Sequence, residues 1–487
     1  MSTKWFVEQN AARRRAILGR SELLGAAPRH AERAGYRSRH APHAVACHRW
    51  GAFRQCATLK SFGNALRHAE RAGYFCSNFS TTACWLTTVV AAARLGPYLR
   101  DKLGGSKIVP IEKGPAMADA PQPIRYGMFI MPFHSPDKPL AQCLDEDLEL
   151  VCRAEELDFD EFWIGEHHTM KREPITMPEI FIARALGETT RIRLGPAPVC
   201  LQQHHPAHVA CRLAMLDHLS RGRLNLCFGA GSVTADQELY GVDPKNAPEM
   251  VDEAIEIILY LWSKEPPYEY HGKYWNIELK KTVDEETGIG YIPRPWQRPT
   301  PPIAVPGMSR NSPSMKTAAK RGHQPFGHCL IPGNVLADIW TTYEQAALAA
   351  ARRPNRRDWR VARSIFLADT TKEAQQRART NSLGQCFEYI GRLFDKGLGR
   401  KMYKRDLDMS DADCNMDYLM QEQIIAGDVD EVLRRLLGLT EEIGSFGTLI
   451  VMGYDWDDKA SWLRSMELFA RELMPELNKA VGGVAVA

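Results

Sequence analysis

The chain has 487 residues, of which 44% are hydrophobic and 25% charged, an ordinary composition for a soluble protein with one large barrel or several smaller domains. Its net charge of +3 is uneven, because residues 1–116 hold 19 Lys and Arg against 6 Asp and Glu, whereas the other 371 residues hold 43 against 53. The acidic remainder argues against nucleic acid as the main partner, which needs a concentrated basic face. The longest apolar stretch is too short to span a bilayer, so no membrane association is predicted.

The cysteines and the amino-terminal residues bear on where the protein resides. Twelve cysteines are scattered without a Cys-x-x-Cys pair, and no positively charged segment leads into an apolar signal core, so a reduced, cytoplasmic protein is expected. Residues 1–116 are arginine-rich, and RHAERAGY occurs at 29–36 and again at 67–74. We interpret them as a disordered leader or a non-native extension, with Met117 as the natural start of a domain over residues 117–487. A long mitochondrial transit peptide is the alternative, and it would imply a mitochondrial location.

Strand-like and helix-like stretches alternate from Ile124 onward. Helical patterns such as EMVDEAIEIILYLW and VDEVLRRLLGLTEEI place apolar residues at spacings of three and four. Eight β/α units over about 350 residues predict an α/β fold, a (β/α)8 TIM barrel with insertions, because short parallel strands covered by amphipathic helices have few other ways to close. A doubly wound open sheet is the alternative. The eight predicted strands are IRYGMFIM from Ile124, EFWIG from Glu161, IRLGPAPV from Ile192, RLNLCFGAG from Arg223, PPIAVPG from Pro301, QPFGHCL from Gln324, WRVARSIFLAD from Trp359 and FGTLIVMG from Phe446.

Two insertions interrupt the alternation. Residues 264–300 are proline-rich and aromatic, and we expect an extended excursion before the fifth strand. Residues 388–426 are rich in charge, and we predict a long loop before the last βα unit. Long insertions in barrels commonly cover the site. Tyr274, Trp275 and the second insertion are therefore candidates for a cover, although such aromatic residues more often belong to a core.

Candidate catalytic residues follow the second predicted strand, in the stretch FWIGEHHTM. Loops after barrel strands converge at one face, so residues after different strands share one pocket. Adjacent histidines in extended chain point to opposite sides, and no HExxH or Cys/His spacing supplies further ligands, so we predict no metal site. The HHPAH stretch at 204–208 could add a ligand, but its proline more naturally begins a helix. A histidine at this face can instead hold a proton and donate it to a developing anion, and we expect His167 to face the pocket and His168 to be structural.

Two turns of small residues follow the fourth and fifth predicted strands. The first is GAGS at 229–232 and the second is GMSRNS at 307–312. Helix N-termini with free amides and hydroxyls bind anions, and two neighbouring strands that end this way suit one phosphate. GAGS lacks the third glycine of GxGxxG, and ordinary βα turn chemistry is the alternative for both. The candidate binding residues are Gly229, Gly231, Ser232, Gly307, Met308 and Ser309.

The order and spacing of these motifs resemble those of the bacterial luciferase-like flavin-dependent monooxygenases. The resemblance rests on WIGEHHT, on HVACRLAMLDHLSRGRLNLCFGAGS, on EMVDEAIEIILYLW followed by YHGKYW, and on PRPWQRPTPPIAV. The ending GDVDEVLRRLLGLTEEIGSFGTLIVMGYDW is most similar to the limonene-monooxygenase-type branch. The resemblance runs from Ile124 to the C-terminus, and the leader lies outside it.

The resemblance implies a flavoprotein oxidoreductase in which reduced FMN reacts with O2 to give a flavin peroxide that oxygenates an organic substrate. His167 matches the family's catalytic histidine, which is thought to stabilise that peroxide and handle its protons. Ala197 and Pro198 fall where relatives often have a cis peptide beneath the flavin ring. Since proline lowers the cost of a cis bond from about 3 to about 1 kcal/mol, a cis Ala197–Pro198 bond is predicted.

The resemblance also implies how the phosphate of FMN would be held. Gly307, Met308 and Ser309 match the phosphate-binding turn after the fifth strand. Ala230 stands where some relatives place an arginine, and this departure leaves the phosphate charge to backbone amides, Ser232 or Arg310.

The partners expected from the resemblance are those of a two-component monooxygenase. We predict a separate NAD(P)H-dependent flavin reductase as the source of reduced FMN, a small apolar organic substrate such as a terpene or ketone, and a possible homodimer formed through barrel helices. A deazaflavin-dependent hydride-transfer oxidoreductase and a non-catalytic flavin-binding protein are the alternatives, because one fold can host several functions. Oxygen consumption with reduced FMN distinguishes the first hypothesis from the others.

Overall fold

The computed structural model describes residues 123–131, 133–396 and 399–482. The predicted leader, residues 1–116, lies outside these ranges. Within them, no helix combines the length and the apolar character needed to cross a bilayer.

Parallel strands form a nearly closed barrel, as the sequence predicts. The strands pair in the order β3-β2-β1-β12-β10-β9-β8-β5-β4, and a bridge between Leu194 and Leu224 brings β3 beside the chain that enters β5. Each of the eight predicted strands contributes to the wall, and the third is divided into β3 and β4. The strands are β1 Arg125–Ile130, β2 Glu161–Ile164, β3 Arg193–Pro196, β4 Val199–Cys200, β5 Leu226–Gly229, β6 Tyr268–His271, β7 Asn276–Leu279, β8 Ile303–Gly307, β9 Gln324–Gly327, β10 Arg360–Leu367, β11 Ile424–Gly427 and β12 Thr448–Gly453.

Helices alternate with the strands and cover the barrel. The helix Val429–Ile443 shows why: Asp428 caps its first turn by accepting from the Glu431 amide at 3.0 Å, and its buried residues recur at spacings of three and four. The helices are Leu140–Glu156, Pro178–Leu186, Pro206–Ser220, Thr234–Leu239, Ala247–Ser263, Pro313–Arg321, Gly333–Ala349, Thr371–Thr380, Ser382–Asp395, Met416–Glu422, Val429–Ile443, Lys459–Leu468 and Met474–Gly482, the last two joined by a π-helical turn over Phe469–Leu473.

The two insertions contain more regular structure than the sequence predicts. The excursion over 264–300 includes the antiparallel hairpin of β6 and β7. The prediction of one long loop over 388–426 is wrong, because the segment contains the end of one helix, the whole helix Met416–Glu422, and β11. That helix begins where the Asn415 side chain accepts from the Asp417 and Tyr418 amides, and β11 pairs in parallel with the second half of β10. The short apolar strand IIAG was not predicted because the residues around it are charged.

The barrel interior is filled by contacts between strands that are not neighbours. Glu161 on β2 pairs with Arg360 on β10, with 2.7 Å between Oε1 and Nε, although β1 and β12 separate the two strands in the sheet. The Trp163 ring likewise meets the Phe326 ring of β9 at a centroid distance of 5.4 Å. Since Glu161 and Arg360 begin their strands, these layers close the amino-terminal end. A pocket can therefore open only at the carboxyl ends of the strands.

Candidate active site

His167 lies between two buried carboxylates at the carboxyl end of the barrel. Its Nδ1 lies 3.4 Å from Asp236 Oδ2, and its Nε2 lies 3.2 Å from Glu173 Oε2, within ion-pair distance but outside hydrogen-bond geometry. The imidazole keeps 19% of its side-chain surface exposed, against 4% for Asp236 and 2% for Glu173. Each ring nitrogen thus faces one carboxylate, while part of the imidazole surface remains exposed.

Asp236 also fixes the backbone that carries the histidine. Its Oδ1 accepts from the His168 amide at 3.2 Å and from the Thr169 amide at 2.8 Å, and the Thr169 hydroxyl donates to the same oxygen. Asp236 belongs to the short helix Thr234–Leu239, which directly follows the turn at 229–232. One carboxylate therefore links the loop after β2 to the turn after β5.

The three groups titrate as a coupled cluster. Burial alone would lower the pKa of His167, but the charges of Glu173 and Asp236 outweigh burial and raise it above its usual range. Burial opposes ionisation of Asp236 as well, yet hydrogen bonds from His167, Thr169 and the His168 amide lower its pKa to about 2. Burial raises the pKa of Glu173, and the nearby His167 only partly offsets this. The arrangement favours an imidazolium held by an ionised Asp236, with Glu173 able to take a proton.

His168 belongs to a separate network around Glu166. Glu166 Oε1 lies 3.0 Å from His168 Nε2 and 2.7 Å from His204 Nε2, while the Tyr240 hydroxyl lies 3.1 Å from His168 Nδ1 and Arg212 Nη1 lies 3.5 Å from His204 Nδ1. Although burial opposes it, hydrogen bonds from the two histidines lower the pKa of Glu166 to about 2. The network lies at the back of the loop and holds it in place.

Glu166, His168 and His204 are close enough to one another to suggest a metal site. The hydrogen bonds argue against a metal, because Tyr240 and Arg212 donate to the Nδ1 lone pairs of His168 and His204. Each histidine then accepts at Nδ1 and donates from Nε2 to the carboxylate. All the polar atoms at the centre of the trio are satisfied in this way without a cation.

A second ionisable cluster follows β1. His134 Nδ1 lies 2.8 Å from Asp455 Oδ1, and its Nε2 lies 3.1 Å from Asp147 Oδ2. Burial alone would lower the pKa of His134, but the hydrogen bonds to both aspartates outweigh it and raise the pKa to about 9. With a carboxylate at each nitrogen, the ring has no lone pair for a metal. It clamps the chain after β1 to the chain after β12.

The predicted binding residues lie along adjacent strands. The Ala197–Pro198 peptide bond is cis, as predicted. A Cβ added to Gly229 would lie 3.1 Å from Pro198 Cβ and 3.2 Å from Pro306 Cγ, so Gly229 fits between the ends of β4 and β8. Gly231 has φ +60°, and a Cβ there would lie 2.8 Å from Cys200 Sγ. Both glycines are places where the backbone approaches its neighbours closely.

The same face carries a buried side-chain amide, that of Gln202, in which only the nitrogen has a hydrogen-bond partner within the described part of the chain. Gln202 is 3% exposed, and its Nε2 donates to the Ala230 carbonyl beside Gly229 and Gly231. Its Oε1 has no hydrogen-bond partner among the described residues. A buried acceptor without a protein donor is free to accept from a ligand or from an ordered water.

The turn after β8 leads into the helix Pro313–Arg321. Gly307 is buried and packs against that helix and its neighbour, because a Cβ there would meet Met315 and Ile339 within 3.2 Å. Met308 is half-buried and Ser309 exposed. Arg310 Nη2 donates to the Arg405 carbonyl at 2.7 Å, so the second insertion contacts this turn.

The structure brings only part of the predicted set into contact. No hydrogen bond or ion pair in the described ranges joins Met308, Ser309 or Ser232 to His167, although all of them lie after strands at the same face of the barrel. Tyr274, a candidate for the cover, contacts the helix Ala247–Ser263, where its hydroxyl donates to Glu249 Oε2 at 2.7 Å. The Trp275 amide donates to Glu253 of the same helix at 2.9 Å.

Sequence reasoning missed the two acids that flank His167. Glu173 lies in an irregular loop without a motif, and nothing in the local sequence distinguishes this buried acid from acids on the surface. Asp236 could have been predicted from the sequence, because it follows the turn at 229–232, which the order of the strands already places at the pocket. An acid just after that turn lies on the same face as a histidine after β2.

Comparisons with known proteins agree with this geometry. A family model described as luciferase-like monooxygenase matches residues 124–445. The 3,6-diketocamphane 1,6-monooxygenase of Pseudomonas putida is 30% identical over 371 residues, which cover 72% of this chain and 97% of the relative. Limonene 1,2-monooxygenase of Rhodococcus erythropolis is 28% identical over 360 residues, 74% of this chain and 88% of the relative. The FMN complex of the oxygenating constituent of 3,6-diketocamphane monooxygenase from Pseudomonas putida, described as a type II Baeyer-Villiger monooxygenase, matches with a TM-score of 0.67 at 30% identity and covers 73% of this chain and 99% of that one.

Proposed function

The chain belongs to the luciferase-like monooxygenase family and is a flavin-dependent monooxygenase, and from this premise we propose that it uses reduced FMN and O2 to oxygenate a small apolar organic molecule, with His167 as its catalytic residue. The observation that carries the proposal is the position of His167, a partly exposed imidazole with a buried carboxylate near each ring nitrogen. It stands on the same face as two small-residue turns on adjacent strands. That combination supports proton handling beside an anionic cofactor.

The residues at this face fit FMN. The free Oε1 of Gln202 is a buried acceptor for an N–H of the ring, and Pro198 with Gly229 offers a close-packed apolar floor. The turn at 307–309, the Arg310 guanidinium and the N-terminus of the following helix supply donors for the phosphate. Ala197, Gly231 and Ser232 complete the proposed binding set. When bound in its reduced form, FMN supplies the electrons that activate O2.

His167 holds and moves a proton in this proposal. With an ionised Asp236 at Nδ1, the ring is kept as an imidazolium, and its Nε2–H, which makes no hydrogen bond to Glu173, is the donor for an oxygen anion. After donation, Glu173 is the nearest group able to return a proton to Nε2, because its raised pKa lets it carry one. Asp236 stays charged and holds the ring in orientation, so it is a positioning residue.

The substrate class follows from the family and the face of the barrel. Related enzymes are named for diketocamphanes and for limonene, and one is described as a Baeyer-Villiger monooxygenase. We propose a small terpene-like ketone or alkene. The second insertion contacts the 307–312 turn through Arg405, which supports a role for it as a cover that excludes water.

Reduced FMN would come from a separate flavin reductase. The related structure is described as the oxygenating constituent of its monooxygenase, which supports a two-component system for this chain. Seven cysteines of the described residues, Cys143, Cys200, Cys211, Cys227, Cys329, Cys386 and Cys414, form no disulfide bond, in keeping with a reducing compartment such as the cytoplasm.

A homodimer is the proposed assembly. Ile180, Met215 and Leu219 lie on the helices Pro178–Leu186 and Pro206–Ser220 and are 72%, 63% and 55% exposed. The two helices pack side by side, so the three side chains are available on one side of the barrel for a second copy. Light scattering of the wild type and of Ile180→Glu with Met215→Glu tests this, since a monomer in both samples would contradict it.

Oxygen-coupled turnover tests the function. Photoreduced FMN is mixed with the protein in oxygenated buffer, with a camphor-type diketone or limonene present, and the oxygenated product is measured by gas chromatography. We expect product with the wild type and at least a hundredfold less with His167→Ala, in line with the loss of a general acid. His271→Ala is the matched control, because that ring is 64% exposed on the β6–β7 hairpin and should leave turnover unchanged.

The outcomes separate the alternatives. Equal product from the wild type and His167→Ala would overturn the histidine assignment. A protein that binds FMN without consuming O2 would be a binding protein, and one that reacts only with a deazaflavin would be a hydride-transfer enzyme.

A further inference from the structure

A polar cavity lies outside the barrel wall, behind β10 and β11. Arg360 points into the barrel, where it pairs with Glu161, so Arg363, an odd number of residues further along the same strand, points outward. The cavity has a volume of about 480 Å³ and is lined by Arg363, by Ile425 of β11 and by residues of the helix Val429–Ile443. It is therefore separate from the proposed flavin site inside the mouth of the barrel.

Arg363 is buried in this wall without a counter-ion. It is 1% exposed, its Nη1 donates at 3.0 Å to the carbonyl of its own neighbour Ala362, and its Nη2 has no partner among the described residues. Burial lowers the pKa of Arg363 to about 10, which still leaves it protonated at neutral pH. A buried charge without a carboxylate is costly, and such charges are normally paired.

The other charges around the cavity do not supply the missing anion. Four arginines line it, against three glutamates. Arg405 pairs with both Glu422 and Glu442, and Arg434 pairs with Glu431, so every lining glutamate is engaged. The fourth, Arg435, donates only to the backbone carbonyls of residues 420, 421 and 424. Two guanidinium groups therefore remain without a carboxylate in the described ranges.

We propose that this cavity binds the phosphate group of a small phosphorylated molecule, with Arg363 at its floor and Arg434 and Arg435 at its rim. Guanidinium groups present forked donors that match a phosphate, and charge-assisted bonds of this kind are strong. The volume lies within the range of about 300–1,000 Å³ usual for small-molecule sites, which leaves room for an organic part beyond the phosphate. This site is independent of the proposed flavin chemistry.

Thermal unfolding of the full chain in inorganic phosphate tests the proposal. Melting temperatures are measured without FMN, in 0–50 mM phosphate against chloride of matched ionic strength. We expect phosphate to raise the melting temperature of the wild type by about 2 °C, as a ligand that binds only the folded state does. Arg363→Met should abolish the rise, and Arg363→Lys should keep part of it. Arg310→Met, on the 307–312 turn, should keep it fully.

Two comparisons make the result decisive. Without phosphate, Arg363→Met should melt at or above the wild-type temperature, because it removes an unpaired buried charge, whereas a purely structural arginine would leave the variant less stable. Arg434→Glu reverses a charge on a side chain that is 71% exposed, so it should fold and should lose the phosphate response even if Arg363→Met fails to fold. No rise in the wild type, or a rise kept by Arg363→Met and Arg434→Glu but lost in Arg310→Met, would overturn the proposal.

Discussion

Replacing Asp236 by Asn tests whether its charge sets the proton affinity of His167. The amide keeps an oxygen for the His168 and Thr169 N–H groups, so the loop should stay in place while the charge is removed. The pKa of Asp236 lies at about 2 instead of 3.8, which corresponds to about 2.5 kcal/mol in favour of its charged form. His167 is the largest of the three stabilising contributions, and an interaction that lowers the pKa of the acid raises that of the imidazole by the same free energy.

If about half of that free energy belongs to the His167 pair, the titration of His167 in Asp236→Asn moves to lower pH by about one unit. A reaction that needs the imidazolium is lost as pH rises through the pKa of His167, so the alkaline limb of the turnover profile should move down by the same amount. The assay is the pH dependence of product formation, together with the imidazole NMR resonance identified by its absence in His167→Ala. Asp243→Asn is the matched control, since Asp243 is exposed and its carboxylate accepts only the Lys245 amide among the described residues. An alkaline limb that stays in place or moves upward would refute the electrostatic argument.

Three further predictions concern stability. Gly231→Ala should destabilise more than Gly241→Ala by about 1 kcal/mol in urea unfolding, because both have positive φ but only Gly231 meets a neighbour within 4 Å; equal costs would contradict the close approach. Glu161→Gln should cost about 3–5 kcal/mol, since it leaves the Arg360 charge buried without its partner, and a cost below 1 kcal/mol would show that the pair is solvated. His134 has a raised pKa of about 9, so its contribution is complete below pH 6.5 and is lost as pH rises to about 9; the wild type should lose melting temperature over that interval, and His134→Gln should not.

The barrel was predictable because each of the eight predicted strands has a recognisable sequence pattern. Short β-branched and aromatic runs, each followed by a helix with apolar residues at spacings of three and four, define the order of the elements. The cis bond at Ala197–Pro198 was also predictable, because the family resemblance places a cis peptide there and a proline lowers its cost. β11 escaped prediction, since its four residues follow directly on a charged segment and pair only with the upper half of β10.

The site was predictable only to the level of single motifs. The position of His167 after a strand places it at the pocket face, but its proton affinity depends on Glu173 and Asp236, which reach it through tertiary packing. The same limit applies to the network around Glu166, in which the partners of one carboxylate come from the loop after β2 and from the end of β4 and the chain that follows it. Burial and pairing decide these properties, and neither can be read from a local pattern.

The crossing contacts of Glu161 with Arg360 and of Trp163 with Phe326 give the barrel a single entrance. In the proposed function, cofactor, oxygen, substrate and product pass through the same opening, so two of them cannot exchange independently. A bulky organic molecule that stays bound delays the departure of the spent cofactor behind it, and the slower release of the two sets the turnover rate. The affinity of the enzyme for its product therefore affects the turnover rate, and a substrate that binds more tightly can be turned over more slowly.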